Sequence, residues 1–309
     1  MGGKLNILID DILSVSGQRL GLLTVPFGPT LENNDTEINS GTFSNGDAGQ
    51  ISLEADTLLL ANEADMSTST FGKGSGGKIV IKSNNLHLMN KGSISSSAGI
   101  FFEGVLLEDV NGKGGNVIVQ ANHLTLSKGS SINSTSVGKN DASNVTVQAN
   151  TIHLEERSNI GTAARQATGG NLSIESPDLL HLRESEITTS VATGKGSGGN
   201  LTIVNPTFVV MNGSRIIAQA DEGSGGNIRI VADQFIKSPE SLISASSRLG
   251  LDGDVQIDSP AVDMDAMLVV LPGGHTEAQL KTCNVIEERD NPTYTFGVKP
   301  RHLPPPLMK

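Results

Sequence analysis

A six-residue pattern, two glycines followed by alternating polar and aliphatic residues, recurs along the chain at a nearly constant spacing. It occurs as Gly-Gly-Asn-Leu-Ser-Ile at 169–174, as Gly-Gly-Asn-Leu-Thr-Ile at 198–203 and as Gly-Gly-Asn-Ile-Arg-Ile at 225–230. If the second glycine of each unit is called the anchor, the anchors of the chain are Gly3, Gly49, Gly77, Gly115, Ser143, Gly170, Gly199, Gly226 and Gly253. They lie 46, 28, 38, 28, 27, 29, 27 and 27 residues apart. A repeat of about 27 residues, with insertions at the two long spacings, is typical of a solenoid.

Two aliphatic columns follow the anchors. The residues two positions after an anchor are Leu5, Ile51, Ile79, Val117, Val145, Leu172, Leu201, Ile228 and Val255. Those four positions after are Ile7, Leu53, Ile81, Val119, Val147, Ile174, Ile203, Ile230 and Ile257. Alternation with a period of two predicts a half-buried β-strand, because successive side chains point to opposite faces.

The remainder of each repeat predicts two more strands and the corners between them. Seven residues after the anchor comes Asp, Asn or Pro, which favours a turn, and this turn is followed by a second alternating run. The predicted inward pairs of that run are Leu58 and Leu60, Leu86 and Leu88, Leu124 and Leu126, Ile152 and Leu154, Phe208 and Val210. A third aliphatic column stands seventeen residues after the anchor, for example at Ile160 and Ile187, before a Gly/Ser-rich corner closes the repeat. We therefore predict an all-β fold, a parallel β-helix (solenoid) of about nine coils with ~27-residue repeats.

The predicted domain organisation follows from where the pattern holds. Repeats cover 1–265, with insertions at about 18–35 and 98–113. Insertions in solenoids emerge as loops on one face, often the binding face, and the second is alternatively a side hairpin or loop packed on the rod. Residues 266–309 are predicted to form a C-terminal cap and a Pro-rich tail, which contains Cys283, the chain's single cysteine.

Composition and motif context argue against several classes of ligand. A formal net charge of −11 disfavours nucleic acid and anionic membrane surfaces. The runs 72–77 and 194–199 match the glycine pattern of dinucleotide-binding loops, but a strand follows them, whereas that motif must open a helix. We therefore expect no nucleotide and no nucleic acid as partners, and no cofactor.

The chain begins within a repeat unit, since Gly2 and Gly3 follow Met1 directly, and the sequence alone has no signal peptide pattern. Our interpretation is that the chain is the C-terminal portion of a longer protein or the product of a truncated reading frame.

Candidate catalytic and metal-binding residues were sought among carboxylates and histidines. Glu54, Glu175 and Asp258 share one column but lie in non-adjacent repeats. The densest acidic group consists of Glu155, Glu156, Glu184 and Glu186, with Arg157 and Arg183 nearby. His87 and His153 point outward in the prediction, and His181 joins their column if its repeat carries one extra residue. His153 and His181 would then be neighbours, but no third metal ligand is evident. We predict no catalytic, cofactor-binding or metal site, and no enzymatic activity.

The Gly-Gly-Asn-Leu-Ser-Ile type of unit, followed by elements such as Asn-Gly-Ser-Arg-Ile at 212–216, resembles filamentous-haemagglutinin-type exoproteins of two-partner secretion systems over about residues 1–265. The ending resembles the C-termini of such proteins, with the lone Cys283 and a Leu-Pro-Pro tail at 303–305. The resemblance implies a right-handed parallel β-helix, export by an outer-membrane barrel transporter, and an extracellular or cell-surface location. It also implies adhesion or aggregation as the role. This chain lacks the secretion domain that the resemblance would place before the repeats.

Three functions therefore stay open at the level of sequence. The first is a non-enzymatic, adhesin-like structural rod, which binds surface glycans or proteins of host or neighbouring cells, or its own copies. The second is a β-helix protein that binds or cleaves polysaccharide, for which carboxylates would have to stack in a cleft. The third is a truncated remnant of a larger exoprotein.

Overall fold

A computed structural model describes residues 3–16, 36–42, 45–70, 72–99, 101–102, 105–106 and 112–260. In this part of the chain every regular element is a β-strand. The strands form a parallel β-solenoid of about seven turns. The predicted fold class is thus confirmed at the level of an all-β parallel solenoid.

The strands, numbered in chain order, form two long parallel sheets in the described residues. The larger sheet contains β1 (Lys4–Ser16), β3 (Gln50–Ala61), β5 (Lys78–Met89), β9 (Val117–Leu126), β11 (Val145–Glu155), β13 (Leu172–Glu175), β14 (Leu179–Arg183), β16 (Leu201–Val204), β17 (Phe208–Asn212), β19 (Ile228–Val231), β20 (Gln234–Lys237) and β22 (Val255–Asp258). The smaller sheet contains β2 (Glu37–Asn39), β4 (Asp65–Ser67), β6 (Ser93–Ala98), β10 (Ser131–Ser136), β12 (Asn159–Ala164), β15 (Glu186–Val191), β18 (Arg215–Gln219) and β21 (Leu242–Ser244).

Each strand pairs in register with the equivalent strand of the neighbouring coil. Leu172 on β13, for example, lies between Val145 on β11 and Leu201 on β16. The aliphatic columns therefore become continuous stacks, and Val145, Leu172 and Leu201 are almost completely shielded from water. Each Å² of apolar surface that is buried contributes roughly 25 cal/mol. These stacks are therefore the main source of stability.

The first predicted corner is less sharp than expected in five of the coils. The strands that run through it without a break are β1, β3, β5, β9 and β11, although the β1–β3 register shifts between Ile9 and Ile12 and the β3–β5 ladder omits the pair Asp56 and Asn84. In the next two coils the strand divides at Pro177 and Pro206. Proline lacks the N–H that a ladder needs, which accounts for the division of the strand in these two coils. The next coil divides in the same place, between β19 and β20 around Asp233, without a proline.

The inward residues predicted for the seventh repeat were wrong by one position. Val209 and Met211 point into the core, whereas Phe208 is exposed and Val210 faces outward. Asn205, with φ of 70°, and Pro206 make the first corner one residue longer in this coil. A slip of one residue in a strand exchanges its two faces, which accounts for the error.

The second corner follows the second strand and uses the left-handed backbone region. Glu156 and Arg157 adopt φ of 53° and 64°, and Glu184 adopts 50°. A buried serine then closes the turn: Ser158 donates from Oγ to the carbonyl of Glu155 at 2.6 Å. Ser158 occupies the position that Ser214 has in the Asn-Gly-Ser-Arg-Ile element at 212–216, directly before the third strand. The turn thus ties the end of the second strand to the start of the third.

The second insertion contains a short antiparallel pair. β7 (Phe101–Phe102) pairs with β8 (Val105–Leu106), as a side hairpin requires. The whole of the insertion at 18–35 and the predicted cap and tail at 266–309 with Cys283 lie outside the described residues.

The anchor glycines are required by close contact between successive coils. A Cβ placed on Gly199 would lie 2.0 Å from the carbonyl oxygen of Gly170, and one on Gly226 would lie 2.1 Å from that of Gly199. Real Cβ atoms do not approach backbone oxygen so closely, so a side chain would force the coils apart. Ser143 is the exception among the anchors, and its Oγ donates a hydrogen bond to the carbonyl of Gly114.

Asparagines at the position after the anchor link the coils through their side chains. The backbone N–H of Asn171 donates to Oδ1 of Asn144, and that of Asn200 donates to Oδ1 of Asn171, each at 3.0 Å. The ladder continues from Asn116 to Asp254, so five successive contacts follow one rule. The glycosylation sequons that begin at Asn144, Asn171 and Asn200 therefore coincide with a structural ladder.

We expect Gly199→Ala to destabilise the solenoid by about 3 kcal/mol, since overpacking against backbone atoms forces a shift of the chain. The free energy of unfolding in urea measures this effect. Gly3→Ala is the matched control, because a Cβ there meets no atom of the described residues within 4 Å. Equal stability of the two variants would contradict the role given to the anchor.

Asn171→Ala should lower the free energy of unfolding by about 1 kcal/mol, the usual net value of one hydrogen bond. Ser173→Ala, at an exposed position two residues later on β13, should change the free energy of unfolding by less than about 0.5 kcal/mol. Urea titration of both variants decides whether the ladder contributes to stability.

Candidate functional site

The clearest group of chemically active side chains lies on the outward face of β11 and β14. His153 and Glu155 occupy alternate positions on β11, and His181 and Arg183 occupy the paired positions on β14. The residues between them, such as Leu154 and Leu182, are fully buried in the core. The alternation that builds the core therefore presents these four polar side chains together on the other side of the sheet.

His181 reaches this position because its coil carries the extra residue that the sequence analysis required. His153 and His181 are direct partners in the parallel ladder, as are Glu155 and Arg183. The longer first corner at Pro177 is compensated by a second corner with a single left-handed residue, Glu184, in place of two. Both coils therefore enter their third strands in register.

The two imidazoles and one carboxylate lie close enough together to bind one ion. The ring centroids of His153 and His181 are 5.6 Å apart and the rings are nearly perpendicular, at 83°. One ligating atom from each of His153, Glu155 and His181 lies within 4.8 Å of the other two. All three side chains are half-buried, which limits the positions they can adopt.

Arg183 neutralises part of the negative charge at the end of β11. Its Nη2 donates to Oε2 of Glu155 at 2.7 Å and to Oε1 of Glu156 at 3.4 Å. The hydrogen bond to Glu155 is the main reason that the pKa of Arg183 is raised. Because these groups are partly exposed, the pairs are worth little as stabilising salt bridges. Their effect is to fix the orientation of Glu155 beside the histidines.

The surroundings of His153 favour its neutral form. Burial of the ring lowers the pKa of His153, the nearby His181 and His123 lower it further, and Glu155 opposes them. His123 lies on β9 and its Nδ1 is 2.9 Å from Oγ1 of Thr151. A neutral imidazole is the form that binds a metal.

The structure assigns different positions to the other candidate residues. Glu156, Arg157 and Glu184 belong to the second corner rather than to a cleft of stacked carboxylates. Glu186 lies 4.0 Å from Arg215 of the next coil. His87 pairs with Leu59 and Thr125, so neither adjacent coil offers it a histidine.

The three carboxylates that share one column, those of Glu54, Glu175 and Asp258, also lie apart. The sequence predicts this separation, because the three residues belong to non-adjacent repeats. Glu175 accepts hydrogen bonds from Gln148 at 2.9 Å and from Asn205 at 3.0 Å. Nη2 of Arg229 donates a hydrogen bond to Oδ2 of Asp258 at 3.4 Å. Glu54, Glu175 and Asp258 lie on β3, β13 and β22, which are not adjacent in the sheet, so these three do not pair with one another as the two carboxylates of a glycosidase do.

An open groove of about 510 Å³ follows the first corner over four coils. Its walls include Asp10, Glu54 and Asp56, together with amide side chains. Nδ2 of Asn122 donates to Oδ1 of Asn84 at 2.9 Å, and Asn84 donates to Asp56. The groove therefore carries a ladder of hydrogen bonds between side chains, whereas the ladder beside the anchors joins backbone N–H groups to side-chain oxygens.

Sequence reasoning missed Glu155 as a companion of the two histidines. It placed Glu155 in the acidic group of the corner and found no third ligand for His153 and His181. The available signal was the spacing of two between His153 and Glu155, which puts both on one face of a strand.

Comparison of the chain with protein-family models, with curated proteins and with solved structures gave no match. Within the described ranges no helix is long and apolar enough to span a membrane.

We expect His153 to titrate in the metal-free protein below the ordinary histidine value of 6.5. Because its pKa is lowered by folding, the unfolded chain binds more protons, and stability falls as the pH drops from 6.5 towards the folded-state pKa. Proton NMR of the imidazole resonances over pH measures the midpoint.

His181→Gln removes one of the groups that lower the pKa of His153, so this variant should raise that pKa. His87→Gln should leave the pKa of His153 unchanged. A midpoint at or above 6.5 in the unmodified chain would show that burial does not act as described.

Proposed function

We propose that the chain is part of a non-enzymatic, adhesin-like rod at the cell surface or in the extracellular space, of the filamentous-haemagglutinin type. The full rod in this proposal is a right-handed β-helix of about nine coils with ~27-residue repeats, followed by the cap at 266–309. Its partners are glycans or proteins of host or neighbouring cells, or further copies of the rod. An outer-membrane barrel transporter exports the full-length protein.

The observation that carries this proposal is one broad surface of small polar side chains, here called the hydroxyl face. It consists of outward residues of β6, β10, β12 and β15, namely Ser93, Ser95, Ser97, Ser131, Asn133, Thr135, Asn159, Thr188 and Ser190. They form three rows, because the strands pair in register. Gly161 and Ala163 interrupt two of these rows at β12, and the third ends at Glu186. For example, Ser95 lies beside Asn133, and Thr188 occupies the same row two coils further on.

A surface of this type suits binding through many weak contacts. Hydroxyl and amide groups both donate and accept hydrogen bonds, and their short side chains lose little conformational entropy when a partner covers them. Repetition along the rod multiplies the contacts by raising the effective concentration of each further one. The arrangement thus supports adhesion to an extended polar surface rather than enclosure of a small substrate.

The proposal is tested with the full chain coupled to latex beads. Bead clumping reports self-association, and retention on bacterial or epithelial cell layers reports binding to surfaces. A double variant, Asn133→Lys with Thr188→Lys, should reduce retention by about tenfold, since an unpaired charge at a contact costs ~1.4 kcal/mol or more.

The matched control is Ser173→Lys with Thr202→Lys on the outward face of the larger sheet, which should keep retention near that of the unmodified chain. If beads bearing the chain neither clump nor bind cells, adhesion is the wrong function. Release of reducing sugar ends from polysaccharides in the same assay would instead establish the enzymatic alternative.

A further inference from the structure

We propose that His153, Glu155 and His181 form a binding site for one divalent transition-metal ion such as Zn²⁺. The site lies on the outward face of the larger sheet and is separate from the hydroxyl face. It uses two side chains of one coil and one of the next, so the metal would join β11 to β14.

Geometry is the first argument. Zinc–ligand distances of about 2.1 Å in a tetrahedron place the ligand atoms roughly 3.4 Å apart. The three groups offer atoms within 4.8 Å of one another, so side-chain rotations without backbone movement can close the site. The ladder fixes the two histidine backbones as direct partners, which sets their separation at the ordinary strand spacing.

The donor set is the second argument. Two imidazole nitrogens and one carboxylate oxygen form a combination that zinc uses in sites with an open fourth position. Calcium and magnesium require mainly oxygen ligands, so the histidines select against them. A fourth ligand from water or from a bound partner completes the tetrahedron.

The surroundings supply the third argument. Arg183 donates to Oε2 of Glu155 at 2.7 Å, and the carboxylate has a second oxygen, Oε1, for the metal. Partners of this kind orient the ligands of metal sites. The core beneath is rigid, because Ile152 and Leu180, which flank the site on the inward face, are completely buried.

The experiment is calorimetric titration of Zn²⁺ into the full chain at slightly alkaline pH, where histidine is neutral. We expect a saturable site, lost or weakened about tenfold or more in His181→Ala and in Glu155→Gln. His87→Ala removes an outward histidine of the same column and should bind Zn²⁺ like the unmodified chain. Far-UV circular dichroism shows whether each variant retains its strands.

A second measurement keeps the proposal testable if other parts of the chain also bind zinc. Zn²⁺ should raise the thermal unfolding midpoint of the unmodified chain and of His87→Ala, because an ion that binds only the folded state stabilises it. The rise should vanish in Glu155→Gln, which is nearly isosteric with the original residue. Equal zinc isotherms and equal midpoint shifts in folded His181→Ala, Glu155→Gln and unmodified protein would overturn the assignment.

Discussion

Direct contact between the backbones of successive coils is the constraint on which the structure depends. At the anchor glycines one coil approaches the carbonyl oxygen of the coil before it so closely that no side chain fits between them. This contact sets the register between two coils at one corner. The strands that follow in those coils then pair in the same register. The aliphatic stacks, the buried serines of the second corner and the asparagine ladder are consistent only with that register. The same local chemistry therefore recurs at each coil.

A solenoid built in this way separates stability from function more completely than a compact domain does. Inward positions are filled by stacked Ile, Leu and Val, while outward positions are free to vary from coil to coil. The column that contains His87, Thr125, His153, His181 and Val210 illustrates this freedom, because the backbone is the same at each of them. A chemically active group arises when two suitable residues fall in adjacent coils. His153 and His181, with Glu155 beside them, are such a case.

The sequence predicts the stacked columns well because each depends on a short-range period. Ile51, Ile79 and Val117 were placed in the core from alternation alone, and all three are buried. Errors occurred where coil length changes: Phe208 and Val210 were assigned to the wrong face because one extra residue at Pro206 has no clear signal in a single repeat. The left-handed corner at Glu156 and Arg157 was also missed, since neither residue type favours positive φ. Glu155 was overlooked at the candidate site because its partner lies in another coil, 26 residues away in the sequence.

The asparagine ladder runs in one direction along the solenoid. Each contact runs from the backbone N–H of the later coil to the side-chain oxygen of the earlier one, from Asn144 onto Asn116 and so on to Asp254 onto Asn227. A coil that has already folded thus exposes one acceptor, the Oδ1 of its asparagine, before the next coil is in place. Because this acceptor matches the repeat that follows in the sequence, each coil acts as a template for its successor. Such a chain is suited to folding by the stepwise addition of coils in the order of the sequence.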